Sequence, residues 1–174
     1  MIKTNRCLLR DFNKDDTQNL FDLDSDPDVH IYLGKKHLKN IKEVPPILDH
    51  LLKQKIELGT ARLAVINKEN NEFIGWTGIK FINEPINNMV NFYELGYRFK
   101  KKYWGKGYAT ETGIASLEYG FNVLNAEKIA AFVDINNKAS QHVLEKLGFK
   151  KLNQFEYDNA PHYFYELNKT DYFK

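Results

Sequence analysis

The chain has 174 residues, of which 43% are hydrophobic, 28% charged and 14% aromatic. This length and composition are typical of one soluble globular domain, and we expect residues 1–174 to form a single domain with its own core. No apolar stretch approaches the roughly 20 residues that a membrane span needs, and no signal peptide is recognisable, so a cytoplasmic location without a membrane partner is expected. A formal net charge of +2 is too small to indicate nucleic-acid binding.

The first half of the chain predicts two helices followed by antiparallel strands. The second helix begins beside Pro45 and Pro46 and ends at Gly59, in agreement with the preference for proline at helix starts and glycine just past helix ends. A polar turn separates two β-branched and aromatic runs after it, which predicts a hairpin, and a third strand follows. The predicted elements are a strand at 7–12, helices at 17–23 and 44–58, and strands at 62–67, 73–82 and 92–99.

The second half predicts an alternation of helices and strands. A helix from residue 108 carries one apolar face, and a later helix at 138–147 is opened by Asn137 and closed by Gly148. Strands are expected at 128–134, 149–155 and 162–168. Antiparallel strands followed by alternating elements predict a mixed α/β fold, a sheet with helices on both faces. The apolar face of the helix from residue 108 is predicted to consist of Ile114, Leu117, Phe121 and Leu124.

A glycine-rich loop lies where the strand at 92–99 ends and the next helix begins. Gly105 and Gly107 allow close backbone approach, and the start of a helix offers free N–H groups and a partial positive charge. The nearby Lys100, Lys101, Lys102 and Lys106 add positive charge, so the loop fits a phosphate. On its own, a glycine pair before a helix is equally consistent with a tight turn. The spacing matches neither a Walker loop nor the three-glycine dinucleotide motif, which disfavours ATP and NAD.

Five segments in order along nearly the whole chain form a recognisable pattern. Each holds a short set of charged, glycine or aromatic positions at defined spacing. They are residues 6–10 (Arg-Cys-Leu-Leu-Arg), 25–29 (Ser-Asp-Pro-Asp-Val), 94–97 (Glu-Leu-Gly-Tyr), 104–111 (Trp-Gly-Lys-Gly-Tyr-Ala-Thr-Glu) and 137–149 (Asn-Lys-Ala-Ser-Gln-His-Val-Leu-Glu-Lys-Leu-Gly-Phe).

This pattern resembles the GCN5-related N-acetyltransferases (GNAT), and within them the ribosomal-protein N-terminal acetyltransferases. Trp104 stands where the wider family most often has Arg or Gln, whereas tryptophan is usual in the ribosomal branch. The resemblance implies a mostly antiparallel twisted sheet with one parallel, splayed strand pair. It also implies acetyl-coenzyme A as cofactor, its pyrophosphate on the loop and its pantetheine arm between the two splayed strands. The implied cofactor-binding residues are Tyr97, Arg98, Phe99, Trp104, Gly105, Lys106, Gly107, Tyr108, Ala109, Thr110, Asn137 and Ser140.

Transfer of acetyl from a thioester to an amine needs a base for the amine and a proton donor for the departing thiolate. The resemblance implies Glu94 as the base, acting directly or through water in a ternary complex. The wider family often has a tyrosine as acid seven residues after the asparagine, where this chain has Leu144. In the ribosomal branch the serine three residues after the asparagine is the substitute, which is Ser140 here.

The acceptor is expected to be a primary amine, with a protein N-terminus favoured. An α-amino group has an unperturbed pKa of about 7.7 to 8.0, against about 10.4 for lysine, and therefore needs less help to lose its proton. Tyr32, Glu94 and Tyr163 are predicted to contact the acceptor, beside an acidic stretch at 22–39. A small amine as acceptor, or an acyl-coenzyme A-binding module without turnover, remain alternatives, as do a monomer and a homodimer.

No metal is expected to take part. The five histidines show no ligand spacing, and Cys7, the single cysteine, reads as a core residue in a strand.

Overall fold

The computed structural model describes residues 1–34 and 36–174. In this part of the chain, eight strands form one sheet with the order β1-β2-β3-β4-β5-β6-β8-β7. The strands are β1 (Ile2–Lys3), β2 (Cys7–Arg10), β3 (Leu63–Asn67), β4 (Phe73–Ile82), β5 (Phe92–Phe99), β6 (Lys128–Asp134), β7 (Lys150–Tyr157) and β8 (Ala160–Asn168).

Neighbouring strands are antiparallel everywhere except between β5 and β6, which are parallel. The predicted hairpin and the third strand beside it are confirmed as β3, β4 and β5. The predicted mixed α/β fold is confirmed as well, since helices cover both faces of the sheet. The helices are α1 (Thr17–Asp24), α2 (Val44–Leu58), α3 (Tyr108–Asn122), α4 (Lys138–Lys146) and the short α5 (Lys169–Tyr172). None of them is long and apolar enough to cross a bilayer, as far as the described residues go.

Two faces of the sheet are distinguished by the helices that pack on them. Successive residues of a strand point to opposite faces. On β3, Ala64 and Ile66 pack with α1 and α2, whereas Val65 packs with α3. Leu95 of β5 and Ile129 of β6 pack with α3 and α4. We call these the α1/α2 face and the α3/α4 face.

The helix ends agree with the sequence signals. Gly59 closes α2 in the left-handed conformation, with φ of +71°, and Asn137 caps α4 by accepting a hydrogen bond from the Ser140 N–H. Cys7 is fully buried on the α3/α4 face, as expected. The two-residue β1 and the four-residue α5 were not predicted, because segments this short carry too few residues to show a period.

One predicted helix face is wrong in part. Ile114 is 42% exposed, whereas Leu117 and Phe121 are fully buried. The face of α3 that contacts the sheet combines Leu117 and Phe121 with Gly120, which lets the helix approach closely. A Cβ atom at Gly120 would lie 2.6 Å from the side chain of Ile129 on β6. Hydrophobic spacing alone did not reveal this because glycine contributes no apolar side chain to the pattern.

Truncation of Leu117 and truncation of Ile114, both in α3, should lower the free energy of unfolding by different amounts. Leu117→Ala is expected to lower the free energy of unfolding by about 2–5 kcal/mol, because it leaves a cavity in the core. Ile114→Ala, in the same helix, should change it by only about 0.5 kcal/mol. Urea unfolding followed by circular dichroism measures both values. Equal losses for the two variants would contradict this assignment of the buried face.

Candidate active site

The glycine loop between β5 and α3 contains two residues in the left-handed conformation. Gly105 has φ of +70° and Gly107 of +82°, values that other residues rarely adopt. Gly107 is also the N-cap of α3, whose first N–H groups have no partner within the helix. The Trp104 indole N–H donates to the Phe99 carbonyl at 2.7 Å and holds the loop against the end of β5. The Trp104 backbone N–H, which was predicted to take part, is already donated to the Lys101 carbonyl at 3.1 Å, so the N–H groups that can turn toward an anion are those from Gly105 to Thr110.

The amino-terminal segment anchors this loop. The Glu111 carboxylate accepts from the Arg6 Nε and backbone N–H, both at 2.7 Å, and from the Thr4 hydroxyl at 2.6 Å. Arg6 also donates to the Lys106 carbonyl at 2.9 Å, and its guanidinium lies 4.2 Å from the centre of the Tyr108 ring. Burial alone would raise the pKa of Glu111. The hydrogen bonds from Thr4 and Arg6 lower this pKa by more than burial raises it, so the net pKa is below the usual range. Arg6 therefore fixes a carbonyl of the loop.

The lysines before the loop are largely engaged with acidic partners. Lys102 and Lys100 lie 2.6 and 3.8 Å from the same oxygen of Glu72, and Lys101 lies 2.5 Å from Asp28. The expected supply of mobile positive charge at the loop is therefore reduced. The backbone N–H groups and the helix dipole remain as the main attraction for a phosphate.

Beyond the middle of the sheet, β5 and β6 separate. Their parallel pairing consists of Tyr93 with Ile129 and Glu94 with Ala130. Residues 97–99 then pair with β4, while their other backbone edge faces the opening. The predicted parallel pair with a splay is thus confirmed. An edge of free N–H and C=O groups beside an opening suits an extended ligand that carries amide groups.

Glu94 lies at the start of this opening and is 6% exposed. It points to the α1/α2 face, since its neighbour Leu95 points to the other. Its carboxylate forms an ion pair with Arg62, whose side chain is also mostly buried. Arg62 donates as well to the carbonyls of Gly78 at 2.5 Å and of Glu94 at 3.0 Å. Gly96 leaves room for the guanidinium, because a Cβ atom there would lie 2.4 Å from its nitrogen.

A second buried ion pair lies on the same face. Arg98 of β5 donates to Asp24 of α1 at 2.6 Å, and His30 Nε2 lies 3.7 Å from the same oxygen. Burial raises the pKa of Asp24, but His30 and Arg98 lower it more, and the net pKa is below the usual range. The Trp76 ring contacts both arginines, with guanidinium carbons 5.1 Å from its centre for Arg98 and 5.2 Å for Arg62. Asp24, one carboxylate of the stretch that was predicted to be acidic, is therefore compensated by arginine.

Ser140 and Tyr97 meet on the α3/α4 face. Ser140 lies in the first turn of α4, and its Oγ is 2.8 Å from the Tyr97 hydroxyl of β5. The side chain of Asn137 accepts from the Ser140 N–H at 3.1 Å. Leu144 is 2% exposed and belongs to the core, so that position is used for packing. Glu94 and Ser140 thus belong to opposite faces of the sheet, on either side of the opening.

The predicted acceptor residues are not all brought together. Tyr32 is partly exposed in the turn after α1. This turn approaches the turn between β7 and β8, where Lys36 lies 3.2 Å from Asp158. Tyr163, by contrast, points to the α3/α4 face, where Lys151 lies 4.0 Å from the centre of its ring. It therefore lies on the face opposite to Glu94, because side chains alternate along β8.

An aromatic cluster, of which only Tyr157 was a candidate from the sequence, lies on the α1/α2 face next to Glu94. Phe132, Phe155, Tyr157 and His162 contact one another, with ring centres 4.7 to 6.4 Å apart. Burial raises the pKa of Tyr157, and the nearby charge of Glu94 adds to this. The sequence signal for this cluster was that residues 155 and 157 are two apart in one strand of a hairpin and therefore share a face, with residue 162 on the paired strand. In the described residues, no group of three or more His, Cys, Asp or Glu is placed to hold a metal ion.

Comparisons with known proteins agree with this geometry. Residues 6–150 match the model of the acetyltransferase (GNAT) domain. The uncharacterized protein YkkB of Bacillus subtilis is 34% identical over 166 residues, which are 95% of this chain and 94% of that protein. The spermidine N(1)-acetyltransferase of Escherichia coli is 27% identical over 141 residues, covering 81% of this chain and 71% of that protein. A GNAT-family acetyltransferase structure from Bacillus anthracis superposes with a TM-score of 0.79 at 27% identity, covering 97% and 98% of the two chains.

The left-handed Gly107 provides a test of the loop. Gly107→Val is expected to abolish coenzyme A binding, since valine disfavours φ of +82° and the loop must change its path. Gly59→Val is the matched control, because it introduces valine at φ of +71° where no atom lies within 4 Å. Both variants should lose stability, and only the first should lose binding in isothermal titration calorimetry. Unchanged affinity in Gly107→Val would refute the role of the loop.

Proposed function

Because this chain belongs to the GNAT acetyltransferase family and is an acetyl-coenzyme A-dependent N-acetyltransferase, we propose that its acceptor is the α-amino group of a protein N-terminus. Membership of the ribosomal-protein branch is part of this proposal. The observation that carries it is the pairing of Glu94 with Arg62 at the opening between β5 and β6.

The charges near the opening favour an acceptor with a single amino group. Glu94 is neutralised by Arg62, and Asp24 by Arg98. A polyamine carries several positive charges, and a site for it would need carboxylates whose charge is not already compensated. A single α-amine needs one acceptor for its proton. Its unperturbed pKa of about 7.7 to 8.0 leaves a useful neutral fraction near pH 7 without a strong base.

The same pair defines what Glu94 does in the reaction. A carboxylate that a guanidinium fixes in place can accept the proton of an α-amine through a water molecule. The amine nitrogen attacks the thioester carbonyl, the C–N bond forms, and the C–S bond breaks with its electron pair on sulfur. Ser140, on the other face of the opening, donates a hydrogen bond to the departing sulfur.

The walls of the opening on the α1/α2 face fit the first residues of a peptide. The turn that carries Tyr32 approaches the turn between β7 and β8, and the aromatic cluster around Phe132 and Tyr157 lies on the other side of Glu94. An extended peptide entering between them would contact aromatic rings with its first side chain. Tyr163 has no part in this proposal, because it lies on the opposite face.

A small amine is the second candidate. The 27% identity to the E. coli spermidine N(1)-acetyltransferase favours it, since that protein is named for a polyamine substrate. Exposed Asp22 and partly buried Asp26 near the mouth have the charge that a cationic small molecule would require.

A parallel assay of acceptors decides between these candidates. Thiol release from acetyl-coenzyme A should be seen with peptides that have a free N-terminus. The same peptides with a blocked N-terminus and one lysine should react on the order of a hundred-fold more slowly at pH 7, the ratio of neutral amine fractions. Spermidine and other small amines form the third set. Turnover with small amines alone would refute the peptide acceptor, and tight coenzyme A binding without turnover would indicate a binding module.

Replacement of Glu94 tests its role as a base. Glu94→Gln is expected to lower kcat/KM for the acceptor by roughly a hundred-fold, because the proton acceptor is lost. The dissociation constant for coenzyme A should stay the same, since Glu94 points away from the loop. Asp24→Asn is the matched control, since it also leaves a buried arginine without its carboxylate. An active Glu94→Gln variant, or an equal loss in Asp24→Asn, would speak against a proton transfer to Glu94.

A further inference from the structure

Two hydroxyl groups meet across the opening on the α3/α4 face. The Tyr97 hydroxyl of β5 lies 2.8 Å from Ser140 Oγ and 3.2 Å from the Ser140 carbonyl oxygen. This contact joins the strand on one side of the opening to the helix that follows the strand on the other side. Of the two proposed catalytic residues, Glu94 and Ser140, only Ser140 has its side chain held by a side chain of β5.

The ring of Tyr97 is fixed by its packing. It lies between the two core clusters of the α3/α4 face, one around Leu95 and the other around Phe99. Its hydroxyl is therefore delivered to Ser140 from a rigid strand. Burial raises the pKa of Tyr97, so the phenol is protonated near pH 7 and has a hydrogen to donate.

The hydroxyl hydrogen of Ser140 can serve the leaving sulfur only if it points toward that sulfur. A serine hydroxyl has one hydrogen, which rotates toward the best acceptor, and its oxygen accepts from others. The Ser140 backbone N–H is already used by Asn137. With Tyr97 donating to Oγ, the Ser140 hydrogen is turned away from Tyr97. If Tyr97 donated to the Ser140 carbonyl instead, the serine hydroxyl would donate its hydrogen to the tyrosine oxygen.

We propose that Tyr97 is a positioning residue, which donates to Ser140 Oγ and so directs the Ser140 hydrogen toward the sulfur that leaves. The proposal rests on the role given to Ser140 above. It explains why the position where the wider family often has a tyrosine can be Leu144, a core residue, in this chain. The pair of hydroxyls on the same face supplies the hydrogen bond to the leaving group instead.

The proton balance requires no further reactant. The C–N bond forms and the C–S bond breaks, and the electron pair of that bond stays on sulfur. The proton of the amine passes through Glu94 and water to the solvent. The sulfur anion accepts a hydrogen bond from Ser140, whose oxygen is stabilised by the Tyr97 hydrogen bond, and it takes its proton from solvent. Both hydroxyls keep their hydrogens over the cycle.

The test compares Tyr97→Phe, Ser140→Ala and the double variant. Tyr97→Phe keeps the buried ring and removes only the hydroxyl. It should lower kcat by roughly ten-fold, the loss expected from one neutral hydrogen bond, with an unchanged KM for acetyl-coenzyme A. The double variant should be no slower than Ser140→Ala, because the tyrosine acts only through the serine. Tyr172→Phe, in the C-terminal helix α5, is the control and should keep the wild-type kcat.

The same variants are compared on the slow hydrolysis of acetyl-coenzyme A without amine. Hydrolysis also breaks the C–S bond, so it reads the leaving group even if the acceptor is not a peptide N-terminus. Wild-type rates in Tyr97→Phe together with a loss in Ser140→Ala would overturn the role of Tyr97 alone. Wild-type rates in both variants would overturn the roles of both residues. Independent, multiplying losses would show that Tyr97 does not act through Ser140.

Discussion

The separation of β5 from β6 after two residue pairs is the constraint on which the rest of the site depends. Backbone N–H and C=O groups inside a sheet need partners, and residues 97–99 have them only on the β4 side. An extended chain of amide groups can supply the missing bonds, and the pantetheine arm of coenzyme A has the chemistry to do so. The same separation places the glycine loop at one end of the opening and Glu94 at the other. It also brings α4 close enough for Ser140 to meet Tyr97.

The two faces of the sheet divide the chemistry. Glu94, Arg62 and the aromatic cluster lie on the α1/α2 face, where the amine would enter. Tyr97 and Ser140 lie on the α3/α4 face, where the sulfur would leave. Buried charges are costly unless they are paired. Arg62 offsets this cost with several hydrogen bonds and Arg98 with its bond to Asp24, and both guanidinium groups contact Trp76. The site is therefore polar but nearly charge-compensated, a property that bears directly on its acceptor.

Much of the fold was predictable because its signals are local. β4, β5 and β6 begin and end at the predicted residues. α2 ends just before Gly59 and α4 begins just after Asn137, as predicted. The loop was predictable for the same reason, since two left-handed residues require glycine. The apolar face of α3 was partly mispredicted at Ile114, which is exposed, because Gly120 takes part in the contact with the sheet but adds no apolar side chain to the pattern. The acceptor side was the weakest part, and Tyr163 faces away from Glu94.

The amino-acid sequence by itself determined the class of fold, the glycine loop, the helix caps and the family resemblance, because these depend on spacing within a few residues. The tertiary structure decided which charges compensate each other. Arg62 and Glu94 are 32 positions apart, and Arg98 and Asp24 are 74 apart. It also decided that the hydroxyls of Tyr97 and Ser140 touch over 43 positions. Such contacts follow from strand register and helix placement, and a single sequence does not record them.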